Sequence, residues 1–167
     1  MSDFVTRPLI TAARRRRQRL RFGVNFVKIL VINGPNLNLL GIREPEIYGS
    51  GTYDDLVSLI RAEAERLGAE TEFFQSNHEG ALVDAVQDAY NEVDGIIINP
   101  GAYTHTSIAL LDALKAVGIP AVEVHISDPD TREEFRKTSY VRHACITTIK
   151  GRGFNGYIDA LHLLVGK

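Results

Sequence analysis

The residues best suited to acid–base chemistry lie in three stretches, each of which follows or ends a short apolar run. Tyr48 follows the first run, His105 follows another, and a third run contains Glu123 and His125. Imidazole, phenol and carboxylate groups can all transfer protons. Glu123 and His125 are two residues apart, so on a strand they share a face. This spacing suits either a carboxylate that orients an imidazole acid or a buried pair without a chemical role.

Other polar residues in these stretches have structural explanations as well. The run from Asn33 to Asn36, Asn-Gly-Pro-Asn, could be a turn, because Asn and Gly tolerate positive φ. Thr104, Thr106 or Ser107 could cap the helix that follows, which is compatible with a ligand at the same helix end. The spacing alone leaves both interpretations open.

Metal and nucleotide sites have weaker support. A zinc site made from His105, His125 and Glu123 is conceivable, but the chain lacks the H-x-x-x-H and C-x-x-C spacings of dedicated zinc sites. The phosphate-binding motif G-x-x-x-x-G-K-[ST] is also missing. Cys145 is the only cysteine, so it forms no internal disulfide, which favours a reducing, cytoplasmic compartment. It falls within an apolar run, and we predict an inert core residue in a strand.

Charge is distributed unevenly along the chain. Residues 1–27 carry seven arginines and one acid, a net charge of +6, so the rest of the chain carries −8 of the total of −2. A basic tail on an acidic body argues against a nucleic-acid-binding domain, and an anionic ligand must be held by a few local cations. We interpret residues 1–27 as a poorly ordered basic extension, or alternatively as a targeting or polyanion-binding arm. Residues 28–167 are predicted to form a single catalytic domain, and no apolar run approaches the ~20 residues needed to cross a bilayer.

The elements that must position these residues alternate along the chain. Apolar runs predict strands at 28–32, 71–74, 95–98, 121–126 and 145–149. Helical spacing predicts helices over 54–67, 79–90, 107–117 and 154–165, and a short helical turn around 132–136. The apolar residues at helical spacing in the first are Leu56, Leu59, Ile60, Ala64 and Leu67. This alternation, with right-handed crossovers, predicts an α/β, flavodoxin-like three-layer sandwich: a five-stranded parallel sheet of order 2-1-3-4-5 with helices on both faces.

Ligands in such folds bind beyond the carboxyl ends of the strands, where all three polar stretches must meet. The connection after the first strand is much longer than the usual 2–6 residues, which predicts a lid or binding loop. Gly41, Gly49 and Gly51 could act as its hinges.

Four motifs in order resemble those of the type II 3-dehydroquinate dehydratases, and the resemblance runs from about Lys28 to the C-terminus. They are I-N-G-P-N-L-N-L-L-G-x-R-E-P-x-x-Y-G (32–49), Q-S-N-H-E-G (75–80), N-P-G-A-Y-T-H-T-S (99–107) and E-V-H-I-S (123–127), followed by R-E-E-F-R (132–136). The resemblance implies a hydro-lyase that converts 3-dehydroquinate to 3-dehydroshikimate by anti elimination through an enolate. It implies no metal and no cofactor, and a place in the shikimate pathway to aromatic amino acids or in quinate breakdown.

The resemblance also implies catalytic roles. Tyr48 would remove the proton alpha to the ketone, and Arg43 would lower its pKa, since a free phenol with a pKa of ~10 is only about 0.1% ionised at pH 7. Asn36 would help to hold the enolate oxygen through a water. His125, steadied by Glu123, would protonate the departing hydroxyl.

The remaining roles that the resemblance implies concern binding and assembly. Asn99, His105 and Arg136 would bind substrate, and Ile126 and Ser127 would cradle its carboxylate. Asp112 would reach into the site of an adjacent subunit, in a homododecamer of four trimers. No membrane or nucleic-acid partner is implied.

Some positions depart from the family pattern. The acidic segment Asp128-Pro129-Asp130 borders the carboxylate cradle, and we expect its charges to weaken binding of an anionic substrate. Lys137-Thr138 and the stretch 141–143 also differ, although every direct ligand is retained. The alternatives are a non-catalytic flavin- or nucleotide-binding module on the same fold, and an inactive relic that still assembles.

Overall fold

Five parallel strands form one sheet in the computed structural model, which describes residues 26–42 and 51–166. The strands are β1 (Val27–Asn33), β2 (Ala69–Gln75), β3 (Gly95–Asn99), β4 (Ala121–His125) and β5 (Thr147–Lys150). Their order is β2-β1-β3-β4-β5 and all pairs are parallel, which confirms the predicted topology. Every residue of β3 and β4 is buried, as expected for strands covered on both faces.

Four α-helices cover the sheet. They are α1 (Tyr53–Leu67), α2 (Glu79–Asp88), α3 (Ile108–Val117) and α4 (Asn155–Val165). Helices α1 and α4 share one apolar core with alternate residues of the central strands, and α2 and α3 share a second core on the opposite face. The result is the predicted three-layer sandwich. None of the helices within residues 26–42 and 51–166 is long and apolar enough to span a membrane.

The ends of the helices follow their local sequence. Helix α1 begins with a capping box in which the Thr52 hydroxyl accepts from the Asp55 amide and the Asp55 carboxylate accepts from the Thr52 amide. It ends at Gly68, which has φ 67°. Of the three capping candidates for α3, Ser107 is the one whose hydroxyl accepts from the Leu110 amide, at 2.9 Å.

One prediction about the elements is wrong. Strand β5 begins at Thr147, and Cys145 ends a short 3₁₀ helix (Val141–Ala144) before it, so Cys145 is not a strand residue. Burial raises the pKa of its thiol to about 12, which keeps it protonated at physiological pH. Leu59, although apolar and at helical spacing, is 40% exposed, because the buried face of α1 runs through Leu56 and Ile60.

The three central strands each end in a buried polar residue. These are Asn33 on β1, Asn99 on β3 and His125 on β4. Asn33 and Asn99 are paired in the sheet register, so their side chains stand next to each other. Apolar residues precede all three positions, and the change from apolar to polar marks the carboxyl edge of the sheet.

Candidate active site

A cleft opens at the carboxyl edge of the sheet, as the fold predicts. It lies between the segments that follow β1, β3 and β4. The lining residues that we predicted from sequence are Asn36, Asn99, His105, His125, Ile126, Ser127 and Arg136, and those that we did not predict are Pro35, Leu37, Leu40, Gly101, Ala102, Pro129 and Arg132.

The segments after β1 and β3 are locked together by close backbone contact. The Gly34 amide donates to the Asn99 carbonyl at 2.7 Å. A Cβ on Gly34 would lie 2.3 Å from the Pro100 carbonyl oxygen, and a Cβ on Gly101 would lie 3.1 Å from the Pro35 carbonyl oxygen. Only glycine allows this approach at Gly34, so the contact between Gly34-Pro35 and Pro100-Gly101 fixes one wall of the cleft.

Asn36 sits at a strained turn in that wall. It has φ 68°, as the turn interpretation anticipates, and it begins a 3₁₀ helix over Leu37–Leu39. Its amide donates to Asn77 Oδ1 at 2.9 Å. Gln75 Nε2 in turn lies 3.2 Å from the Gly34 carbonyl and 3.3 Å from Asn77 Oδ1. The segment 75–77 therefore supports the turn that presents Asn36 to the cleft.

Glu123 and His125 contact each other beneath the cleft. Their shared face brings His125 Nε2 to 2.9 Å from Glu123 Oε1. Glu123 is fully buried, and His125 is 8% exposed and lines the cleft. The Nε2 proton is donated to the carboxylate, so Nδ1 is the ring nitrogen left for a ligand.

Three hydroxyl groups surround the Glu123 carboxylate as well. Ser139 Oγ lies 3.0 and 3.2 Å from its two oxygens, Thr148 Oγ1 donates to Oε2 at 2.9 Å, and Thr104 Oγ1 donates to Oε1. The sequence analysis assigned none of the three to Glu123, and it considered Thr104 only as a helix cap. Thr148 is opposite Glu123 in the β4–β5 register, so its alignment could have been inferred once the sheet order was known. Ser139 comes from a loop, and no sequence pattern marks it.

These contacts keep Glu123 ionised in spite of its burial. Burial is the largest single influence and raises the pKa of Glu123, but the hydrogen bond and charge of His125, with the Thr104 and Thr148 hydroxyls, together lower it to about 2. The ionised carboxylate holds the imidazole through its Nε2–H, so the pair places a group able to transfer a proton at the wall of the cleft.

His105 has one ring nitrogen fixed by the backbone. Nδ1 lies 2.6 Å from the Thr138 carbonyl oxygen, which accepts only from a protonated nitrogen. In the neutral ring, Nε2 is then an acceptor, suited to a ligand hydroxyl. Within residues 26–42 and 51–166, no three His, Cys, Asp or Glu side chains are grouped to hold a metal ion. His105, His125 and Glu123, the conceivable zinc ligands, are therefore not brought together as a group in this structure.

Two guanidinium groups supply positive charge to the cleft. Arg136 Nε donates to Glu133 Oε2 at 2.7 Å, and Arg132 Nε lies 3.7 Å from the same oxygen. Both arginines line the cleft, whereas Glu133 does not. Both guanidiniums therefore bring positive charge to the wall of the cleft, where an anionic ligand could be held.

The acidic segment beside the cleft is partly neutralised. Lys150, at the end of β5, lies 3.3 Å from Asp128 Oδ1 and also pairs with Asp130. The Asp128 carboxylate additionally accepts from the Asp130 amide at 3.0 Å. Of the two charges that we expected to oppose an anionic substrate, Lys150 offsets one.

A glycine motif that the sequence analysis missed forms hydrogen bonds to the backbone at the end of β4. Residues 151–156 read G-x-G-x-x-G and run from the end of β5 into the first turn of α4, a context typical of dinucleotide sites. In this chain the Gly151 and Gly153 amides donate to the carbonyls of His125 and Ile126, at 3.2 and 3.0 Å. Because these amides are already used, the turn holds the end of β4 in place and does not cradle a phosphate.

Four predicted site residues do not line the described cleft, and one of them, Glu123, lies beneath it. Arg43 and Tyr48 lie outside the residues that the structure describes, as does the extension up to residue 25. Asp112 is exposed on α3 and does not line the cleft of its own chain. Its predicted role in an adjacent subunit is compatible with that position.

The chain is similar in sequence to known proteins over most of its length. The sequence model of the family Dehydroquinase class II matches residues 27–165. The 3-dehydroquinate dehydratase of Clostridium acetobutylicum is 60% identical over 138 residues, which are 83% of this chain and 96% of that protein. The enzyme of the same name from Caldicellulosiruptor bescii is 59% identical over 138 residues, 82% of this chain and 95% of that protein.

A solved structure of the type II dehydroquinase from Butyrivibrio crossotus superposes with a TM-score of 0.82 at 53% identity, covering 83% of this chain and 97% of that one. The type II dehydroquinase from Propionibacterium acnes gives 0.81 at 40% identity, covering 86% and all of that chain. The match spans all five strands and the three segments that form the cleft, and the chain belongs to the class II dehydroquinase family.

Proposed function

We propose that this protein dehydrates 3-dehydroquinate to 3-dehydroshikimate in the shikimate pathway. The observation that carries the proposal is the buried Glu123–His125 pair, which opens onto a cleft with two guanidiniums in a chain of the class II dehydroquinase family. Relatives at 59–60% identity are named 3-dehydroquinate dehydratase. The pair supplies a proton donor, and the guanidiniums select an anion.

The polar groups of the cleft suit a hydroxylated ring that carries one carboxylate. Arg136, with the backbone and hydroxyl at Ile126 and Ser127, would bind the carboxylate, because a guanidinium and amide donors complement its two oxygens. Asn99 and His105 would bind ring hydroxyls. An amide both donates and accepts, and His105 Nε2 accepts when Nδ1 donates to Thr138.

Elimination needs a base and an acid on opposite sides of the substrate ring. Tyr48, activated by the charge of Arg43, would take the proton alpha to the ketone, and the resulting enolate oxygen would be held by Asn36 through a water. His125 would then protonate the leaving hydroxyl as the carbon–oxygen bond breaks and the ring double bond forms. The products are the enone and water. Tyr48 ends protonated and His125 neutral, so one proton passes between them through solvent before the next turnover.

We further propose a homododecamer in which Asp112 completes a neighbouring site, and a cytoplasmic location. Asp112 is exposed on α3 four residues after Ile108, which is 55% exposed, so the two share a helix face. An acid and an exposed apolar side chain on one face suit contact with another subunit. Catalysis is assigned to residues 28–167, and the family match over 27–165 supports leaving the basic extension out of it.

The test of the function is turnover of 3-dehydroquinate by the wild type and by Tyr48→Phe, followed through the ultraviolet absorbance of the enone. The wild type should form product, and the variant should lose turnover by at least ~10²-fold while still binding substrate, because it lacks only a proton acceptor. Substantial turnover in Tyr48→Phe would overturn the role of Tyr48. A yellow protein without turnover would instead favour the flavin-binding alternative.

A further inference from the structure

A tyrosine in the apolar core joins the polar ends of two central strands. The Tyr157 hydroxyl, on α4, donates to Asn33 Oδ1 at 2.7 Å, and Asn99 Nδ2 donates to the same hydroxyl at 2.9 Å. Tyr157 and Asn33 are fully buried and Asn99 is 3% exposed. Phenylalanine would fill the same space without burying a hydroxyl, so packing alone does not account for a tyrosine here.

The hydroxyl determines the orientation of both amides. A phenol has a single proton to donate, and Asn33 Oδ1 receives it, so the lone pair of the hydroxyl faces Asn99 Nδ2. Burial raises the pKa of Tyr157, which keeps the phenol neutral and able to both donate and accept. The Asn99 amide is held from its other side by the Gly101 amide, which donates to Oδ1 at 3.2 Å.

These two hydrogen bonds leave part of the hydrogen-bonding capacity of the Asn99 side chain for a ligand. One Nδ2 proton and one Oδ1 lone pair are unused by the contacts above, and Asn99 lines the cleft. An amide in this orientation presents one donor and one acceptor to a ligand at fixed positions. Rotated by half a turn, it would place Oδ1 against the Tyr157 hydroxyl and Nδ2 against the Gly101 amide, and two donors would then face each other.

On Asn33 the same hydroxyl holds the amide oxygen. The Asn33 Nδ2 is the one buried side-chain nitrogen or oxygen, among the residues that the structure describes, without a hydrogen bond. Burial raises the pKa of Tyr53, and the Asn33 amide offsets part of that rise. The Tyr157 hydroxyl orients the Asn33 oxygen, and the chain of contacts runs from α4 through both strand ends.

We propose that Tyr157 is a positioning residue, whose hydroxyl sets the Asn99 amide in the orientation that binds substrate. This inference rests on the proposed function, because it gives Asn99 a ligand. Tyr157 itself does not line the cleft. It acts through Asn99, whose amide it holds in one orientation before the ligand binds. Such preorganisation lowers the entropy cost of binding.

The test compares Tyr157→Phe with two matched controls in the full-length chain. Tyr90→Phe makes the same chemical change at an exposed residue just beyond the end of α2. Ile60→Val removes one methylene group from the same apolar core that contains Tyr157, and it controls for reduced stability. KM, kcat and Tm are measured for all four proteins.

Tyr157→Phe should raise KM about three- to tenfold with a smaller change in kcat, which is the effect of losing about one net hydrogen bond. Tyr90→Phe and Ile60→Val should keep the wild-type KM, although Ile60→Val lowers Tm. In an Asn99→Ala background, Tyr157→Phe should change KM by less than about twofold, because its effect passes through the missing amide. A lower Tm with unchanged KM in Tyr157→Phe, or an equal KM effect in both backgrounds, would overturn the proposal.

A crystal structure of Tyr157→Phe gives a readout that does not depend on turnover. The Asn99 amide should rotate away from the phenyl ring or occupy two orientations. An Asn99 amide unchanged from the wild type would overturn the positioning role whatever reaction the protein catalyses. Lack of turnover in the wild type, by contrast, would count against the proposed function alone.

Discussion

At the scale of single residues, Glu123 shows how a buried charge can be retained. Four neighbouring side chains, His125, Thr104, Ser139 and Thr148, surround its carboxylate and replace the water that it loses. The hydroxyls neutralise nothing, so the full negative charge remains for His125. Replacing the carboxylate by an amide of the same shape removes the charge and keeps the packing, so the two contributions can be measured separately.

We expect Glu123→Gln to lower kcat by about 10²-fold or more, because an acid of this kind contributes ~10²–10⁴ and needs its charged partner. Glu72→Gln is the matched control, since Glu72 is an exposed acid paired with Lys28 at 2.5 Å on β2, an edge strand of the sheet. Steady-state kinetics with 3-dehydroquinate measure both. A kcat for Glu123→Gln within twofold of the control would show that the charge of Glu123 does not assist His125.

The same residue predicts how stability depends on pH. Its pKa is lowered from 4.5 to about 2 in the folded chain, so its contribution is complete above pH 4.5 and is lost as the pH falls toward 2. Between about pH 5 and pH 3 the wild type should lose about 2 kcal/mol more stability than Glu123→Gln, in which this position does not titrate. Urea unfolding at the two pH values measures the difference. Equal losses in the two proteins would mean that Glu123 has an ordinary pKa in the folded state.

At the scale of elements, the cleft depends on glycines that let backbone segments touch. Gly34 is the clearest case, because a Cβ there would meet the Pro100 carbonyl oxygen at 2.3 Å. Pro100 is buried and follows the last residue of β3, so neither segment can move without disturbing Asn99.

Gly34→Ala should therefore lower stability by about 2 kcal/mol or more and raise KM for 3-dehydroquinate, because the strain separates the two walls. Gly80→Ala is the control: Gly80 lies in the first turn of α2 with open space around its Cβ position, and alanine there should be neutral or stabilising by ~0.5–1 kcal/mol. Thermal unfolding and kinetics of the two variants provide the test. A Gly34→Ala protein as stable and as active as the Gly80→Ala protein would contradict this account of the wall.

The spacing of apolar residues predicted most helices and strands correctly, and it was wrong where an apolar side chain is exposed to solvent. The apolar runs predicted all five strands, and their alternation with helices joined by right-handed crossovers predicted the sheet order. It misplaced the start of β5, since Ile146 is apolar yet 68% exposed. The Glu123–His125 contact followed from a spacing of two. Ser139 and Tyr157 could not be predicted, because they meet Glu123 and Asn99 only through folding of distant segments.

At the scale of the whole molecule, the proposed assembly makes each site depend on two subunits. We expect a dodecamer by light scattering, with a mass twelve times that of the 18.5 kDa chain. Asp112→Ala should keep much of its structure and lose activity, because Asp112 is exposed and would serve a neighbouring site.

Co-assembly of Asp112→Ala with Tyr48→Phe tests the sharing of sites. Some sites in the mixed particle would combine an intact Tyr48 from one subunit with an intact Asp112 from its neighbour, and activity should return to part of the wild-type level. Mixed particles that are no more active than the sum of the two variants would show that each subunit supplies its own Asp112, or that Asp112 is not needed.

The claim that side chains of this protein carry out the dehydration is tested most directly by turnover of 3-dehydroquinate before and after exhaustive treatment with a chelator. We predict formation of the enone at the same rate in both samples, since the proposed base is Tyr48 and the acid is His125, held by Glu123. No product in either sample, or activity that chelator abolishes and a divalent metal ion restores, would contradict that claim.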